Sequence, residues 1–113
     1  MTAFRSVLLA AGLSAAIALP AVADAIDGKW CMGAKCLEIA GDTIVTPGGR
    51  KIQGDYGRHD FSYVVPADEA NAGKTVDMDL MGDEDMRLWP TGRAPNAEAA
   101  GAQYWRRCQA ETS

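Results

Sequence analysis

From Gly28 to Gly101 the chain never runs ten residues without a glycine or a proline. That spacing admits strands of about four to eight residues and leaves little room for helices, which need about ten or more. What lies between the breaks alternates. In Cys36 to Ala40, Leu37 and Ile39 share one face, while Cys36, Glu38 and Ala40 share the other. His59 to Val65 sets His59, Phe61, Tyr63 and Val65 on one face. Lys74 to Met81 points Val76, Met78 and Leu80 inward, and Met86 to Trp89 returns with Met86 and Leu88 inward. Shorter strands are expected at Lys29 to Met32, Thr43 to Thr46, Arg50 to Tyr56 (with a bulge at Gly54) and Tyr104 to Cys108. Pro47-Gly48-Gly49 and Gly82-Asp83-Glu84-Asp85 are turns, Pro66 to Gly73 is a polar loop, and Thr91 to Ala102 is a loop without periodicity. Ala97 to Gln103 could form a helical turn at most. The fold class expected is all-β: an antiparallel meander of about eight short strands, curled into a barrel or half-barrel that hides its edges.

The N-terminus is of another kind. Arg5 precedes an uncharged run from Ser6 to Ala23, broken by Pro20 and ending in Ala21-Val22-Ala23-Asp24-Ala25. A basic start, an apolar stretch and small residues at alternate positions make a secretory signal peptide. A spanning helix needs about 20 strongly apolar residues, and this run is Ala-rich and interrupted. The cut is placed after Ala25, with Ala23 the alternative, so residues 1–25 are leader and 26–113 a single small β domain. There is no twin arginine, and Cys31 lies too far from the cut to carry a lipid. Removing Arg5 and Asp24 leaves the net charge at −4. An acidic domain without a basic patch is not expected to bind nucleic acid. A periplasmic or secreted location is expected, with no membrane contact after cleavage.

A domain this small hides only about 60–65% of its unfolded surface, so a covalent staple would help it, and export permits one. Three cysteines, Cys31, Cys36 and Cys108, leave one over. Cys31 can pair with Cys36 across a hairpin or with Cys108 at the far end of the chain. The chain-entropy estimate is about 2 kcal/mol for the short loop and about 4.5 kcal/mol for the long one. The long bridge would also tie the first strand to the last, so Cys31–Cys108 is favoured and Cys36 is left unpaired. Cys-x4-Cys is neither a redox nor a zinc spacing, and no metal or cofactor is expected.

No catalytic constellation stands out, and the chain is not expected to be an enzyme. His59, the only histidine, has Asp60 beside it, but neighbours on a strand face opposite ways. A structural histidine is the expected reading. Asp77, Asp79 and Gly82 match part of a calcium loop, yet Met81 and Leu88 fall where ligands are required. Pro47 to Lys51 lacks the frame of a phosphate-binding loop. If the domain has a recognition loop, the candidates are Asp55, Tyr56, Arg58 and His59, together with Asp68 to Lys74. Most aromatic residues are expected in the core, Trp30 and Trp105 around the staple, and the chain is short for a roomy interior.

Gly28-Lys29-Trp30-Cys31, Thr46-Pro47-Gly48-Gly49, the stretch Tyr56 to Tyr63 and Trp105-Arg106-Arg107-Cys108 together give a pattern spanning most of the mature chain. It resembles small exported proteobacterial proteins of the periplasm, a group to which no activity is attached. The resemblance implies a lipocalin-like β fold and the terminal pairing of Cys31 with Cys108. No catalytic residue carries over. The function expected is that of a monomeric binding or structural module for an unknown protein or small ligand. The alternative is an inhibitor of an exported hydrolase, like the small β-barrel lysozyme inhibitors, although their Ser-Gly-x-x-Tyr loop is missing.

Overall fold

The computed structural model describes residues 25–95 and 99–109. The segment read as a leader lies, apart from Ala25, outside them, as does part of the stretch from Ala97 to Gln103. Nine antiparallel strands form one sheet: β1 (Gly28–Met32), β2 (Lys35–Ala40), β3 (Thr43–Val45), β4 (Lys51–Gln53), β5 (Asp55–Gly57), β6 (Asp60–Val64), β7 (Thr75–Leu80), β8 (Asp85–Trp89) and β9 (Gln103–Arg107). The order across the sheet is β4-β3-β2-β1-β9-β8-β7-β6-β5. The first and last strands are therefore neighbours in the middle, and the two edges, β4 and β5, are consecutive in the chain. Each strand otherwise pairs with its successor, as in an up-and-down meander.

Gly54 makes the closure possible. It is the single residue between the two edge strands, and its N–H donates to the Asp42 carbonyl at 2.8 Å. A Cβ there would collide with the Ser62 carbonyl and the Phe61 ring. The residue expected as a bulge is thus the corner at which one chain passes from one end of the sheet to the other. The result is a nearly closed barrel without a long free edge.

The alternation read from the sequence fixes what fills it. Trp30, Leu37, Ile39, Ile44, Phe61, Tyr63, Val76, Met78, Met86, Leu88 and Trp105 are buried in one cluster. Trp89 is equally buried but belongs to no part of that cluster. It follows inward Leu88 and so faces out, where it meets other groups. His59 precedes β6 and is exposed, so the expected strand begins one residue later.

One end of the barrel is plugged by the chain's own entry. Ile26 has no exposed surface, and its N–H donates to the Arg58 carbonyl at 2.8 Å. The Trp30 indole N–H returns to the Ile26 carbonyl at 2.9 Å. Arg107, at the end of β9, donates to the carbonyls of Ala25 (2.7 Å), Asp27 (2.6 Å) and Asp83 (2.7 Å). Its guanidinium lies 4.3 Å from the centre of the Trp30 ring. A planar fork of donors suits such a cluster of carbonyls better than an ammonium would. Asp27 closes the same end: its carboxylate accepts the Gly41 N–H at 2.8 Å and the Tyr56 hydroxyl.

Cys31 is bonded to Cys108, so the first strand is tied to the last. Cys36 is a free, exposed thiol. Trp30 and Trp105 point inward, whereas Cys31 sits on the outer wall between Trp30 and Met32. The indoles therefore back the wall from within and do not pack around the sulfurs.

Candidate functional site

The strands that start or finish away from the plug leave that end of the barrel open. Three sets of residues surround it: Lys35 after the first hairpin, Pro47 and Gly48 between β3 and β4, and Asp68 to Asn71 between β6 and β7. Tyr63, Val65, Val76, Leu88 and Trp105 form the floor, together with Gln103. The resulting cup holds about 500 Å³, within the usual size of small-ligand sites, about 300–1,000 Å³. The sequence suggested that the chain is too short for an internal cavity. Deep in the barrel that is so, because Trp30, Met86 and Trp105 fill it. The space lies above them, and the long loop after β6 raises its wall.

Local chemistry shapes that wall. Thr46, only 1% exposed, donates its hydroxyl to Glu69 at 2.6 Å and accepts the Arg50 N–H at 3.0 Å. This hydroxyl joins the turn after β3 to the loop after β6. Gly48 packs so tightly on Glu69 that a Cβ there would strike its carboxylate. Arg50 and Asp68 add an exposed ion pair outside. Asn71 takes a left-handed conformation, φ +68°, which asparagine tolerates better than most residues, and so lets the loop turn back.

Tyr63 is the unusual residue of the floor. It is 5% exposed, and no hydrogen-bond partner for its hydroxyl is found among the described residues. Burial, and next to it the Glu69 carboxylate, push its pKa up from 10.0 to about 12. A buried hydroxyl ordinarily has a partner, because leaving it without one costs about 1–3 kcal/mol. Beside it Trp105 donates its indole N–H to the Gln103 side-chain oxygen at 3.1 Å, which leaves the Gln103 amide N–H groups for other acceptors. The cup therefore offers an apolar, aromatic floor, a phenol and an amide, with the Asp68 and Glu69 carboxylates and Lys35 around it.

The residues singled out in the sequence separate into two places. Of the Asp68 to Lys74 candidate, Asp68 to Asn71 help build the cup. Asp55, Tyr56, Arg58 and His59 lie elsewhere, on β5 and the turn after it, toward the plugged end. Tyr56 is engaged with Asp27, and the Arg58 carbonyl with Ile26. Asp55 and His59 line a groove on the outer wall with Asp77, Asp79, Trp89 and Arg93. That groove holds about 580 Å³, and two of its carboxylates are already engaged. Asp79 accepts Arg87 at 3.0 and 2.7 Å and Arg93 at 3.3 Å, and Asp77 accepts the Arg93 N–H at 2.9 Å. The two carboxylates that suggested calcium are thereby committed to arginines. Tyr63 could be assigned to the interior from alternation alone. Its partnerless hydroxyl could not, since that depends on how the loop after β6 folds over it.

Compared with protein-family models, with curated proteins and with solved structures, the chain finds no match.

Proposed function

We propose that this protein is an exported, monomeric binding module that takes a small amphipathic molecule into the open end of its barrel. The observation that carries the reading is Tyr63, a buried phenol with no hydrogen-bond partner among the described residues, on the floor of a cup of about 500 Å³. The cup's chemistry narrows the class. An apolar body would lie against Val65, Val76, Leu88 and Trp105, while a hydrogen-bond donor or ammonium group would meet Glu69 and the Tyr63 hydroxyl. Binding without reaction is favoured because, among the described residues, the hydroxyl in contact with a carboxylate at the cup, Thr46 on Glu69, is 1% exposed and so sealed from a ligand. The leader-like N-terminus and the disulfide support a periplasmic or secreted location. The nearly closed sheet supports a monomer, since it presents no long edge for a second copy.

Phenethylamine is a suitable first probe, read by thermal shift and by native mass spectrometry. The expected result is a rise in melting temperature and a one-to-one adduct, both weakened by Tyr63→Phe and by Glu69→Gln. The isosteric amine-free probe propylbenzene should bind more weakly. No shift with either probe, together with a bare native mass for protein from its own host, would remove the reading.

A further inference from the structure

Three sulfurs meet on the outer wall, away from the cup. Cys31 lies directly across β1 and β2 from Cys36 and is bonded to Cys108 just past β9. The Cys36 Sγ is 3.4 Å from the Cys31 Sγ, and the three sulfur atoms lie within 4.8 Å of one another. Cys36 is exposed and carries no disulfide of its own. A free thiol in contact with a disulfide sulfur is the arrangement from which exchange proceeds.

We propose that Cys36, Cys31 and Cys108 form a thiol–disulfide exchange centre in the folded protein, with Cys36 as the nucleophile. Cys36 loses its proton to solvent, and the thiolate electron pair bonds to the Cys31 sulfur. The Cys31–Cys108 bond breaks, its electron pair leaves on Cys108, and Cys108 takes up a proton. One thiol and one disulfide stand on each side, so no oxidant or reductant is consumed.

The backbone already accommodates the second pairing. Gly33 and Ala34 form a two-residue turn flanked by Met32 and Lys35, and Gly33 has a φ of +62°. Glycine at the first central position with positive φ is the habit of tight hairpin turns. In such a hairpin the flanking pair exchanges ladder hydrogen bonds, and the next pair does not. Cys31 and Cys36 are that next pair, where side chains approach most closely. The exchange moves the covalent tie from a seam to a hairpin. Between β1 and β9 the register holds only Trp30 to Arg107 and Cys31 to Arg106, followed by the Cys108 N–H on the Lys29 carbonyl at 3.1 Å. That seam is therefore locked in one state and held by hydrogen bonds alone in the other. The structure holds the Cys31–Cys108 bond, so the seam-locked form is the resting one.

The test is alkylation of the native, non-reduced protein, followed by non-reducing peptide mapping. Rapid capture with concentrated maleimide reads the resting state, and the label should fall on Cys36. Slow capture with dilute iodoacetamide lets the thiol migrate, and a reproducible fraction of the label should then appear on Cys108. The rate at which that label appears should rise with pH, because the thiolate attacks. Cys36→Ser, an exposed substitution, should leave Cys108 unlabelled under every condition. Label confined to Cys36 at all rates and pH values would overturn the proposal. So would label on Cys31, since that marks scrambling in an opened chain, and so would a shift whose rate ignores pH.

Discussion

Tyr63 and Arg107 show how differently two polar side chains can be used inside one small barrel. The Tyr63 phenol is shielded from water and faces Glu69, so its proton is held more tightly in the folded state than in the unfolded one. Its raised pKa therefore contributes stability that is complete below pH 10 and is lost as the pH climbs from 10 toward 12. A falling melting temperature across that window, flattened by Tyr63→Phe, is the expected result. Tyr56 is also raised, first by its hydrogen bond to Asp27 and then by burial. The readout is accordingly the difference in phenolate absorbance between wild type and Tyr63→Phe. A Tyr63→Phe difference spectrum that titrates near 10 would show an ordinary, hydrated phenol. Below pH 10 the substitution should cost little, because it removes a hydroxyl that has no protein partner. Arg107 is the opposite case, with every direction of its guanidinium occupied. Arg107→Lys keeps the charge but loses the fork that spans Ala25, Asp27 and Asp83, and should destabilise by about 1–3 kcal/mol in urea unfolding. The sequence placed Arg107 only inside a recognisable tetrad. Its role depends on carbonyls about 80 positions away, beyond what any local pattern encodes.

Among the elements, alternation in β2, β6, β7 and β8 was enough to assign their inner faces, because one wall of each strand is dry and the other wet. It was silent about Trp89. The strand β8 sends Met86 and Leu88 inward, so Trp89 must face out, yet it is 1% exposed. Its cover is the segment after β8. Arg93 lies 4.5 Å from the centre of its ring and Arg87 5.1 Å, and the indole N–H donates to the Ala100 carbonyl at 3.0 Å. Cations over an indole, anchored by one half-buried carboxylate, hold an aperiodic stretch against the barrel. Asp79 is that anchor, and its pair with Arg87 is only 16% and 22% exposed. Asp79→Asn keeps the shape and removes the charge that holds both arginines. Cleavage by trypsin after Arg93 is expected to accelerate several-fold while the global unfolding midpoint moves little, since local opening and global unfolding are separate events. Equal slowing or speeding of both would mean that the segment unfolds only with the barrel. A loop of this kind escapes sequence reading for a physical reason: it is held by its own Arg93, set against Trp89 and Asp79 on the neighbouring wall, not by its own periodicity.

For the molecule as a whole, turn spacing was sufficient to indicate a closing meander, whereas the means of closure were not legible. The corner at Gly54, the plug at Ala25 to Asp27 and the open cup at the other end all depend on contacts between distant segments. The plug also bears on how an exported chain would be processed. Both Ala23 and Ala25 end a small-residue pattern, and the sequence alone favoured a cut after Ala25. That cut would remove the carbonyl that accepts Arg107 at 2.7 Å. It would also turn the Ile26 nitrogen into a charged ammonium on a residue with no exposed surface, near the Arg107 guanidinium that binds the Asp27 carbonyl. Burying an extra cation beside another is costly, and the partner described for that nitrogen is a neutral group, the Arg58 carbonyl. A cut after Ala23 keeps Ala25 as a neutral amide and leaves the new ammonium two residues away, on Asp24. The mature protein is therefore expected to begin at Asp24, and the denatured intact mass from the exported fraction decides it. A mass beginning at Ile26 would mean that Arg107 is satisfied differently in the processed chain. Its stability would then rise with pH up to about 8, the ordinary pKa of a terminal amine, because below it the unfolded chain holds the proton that the buried terminus must release.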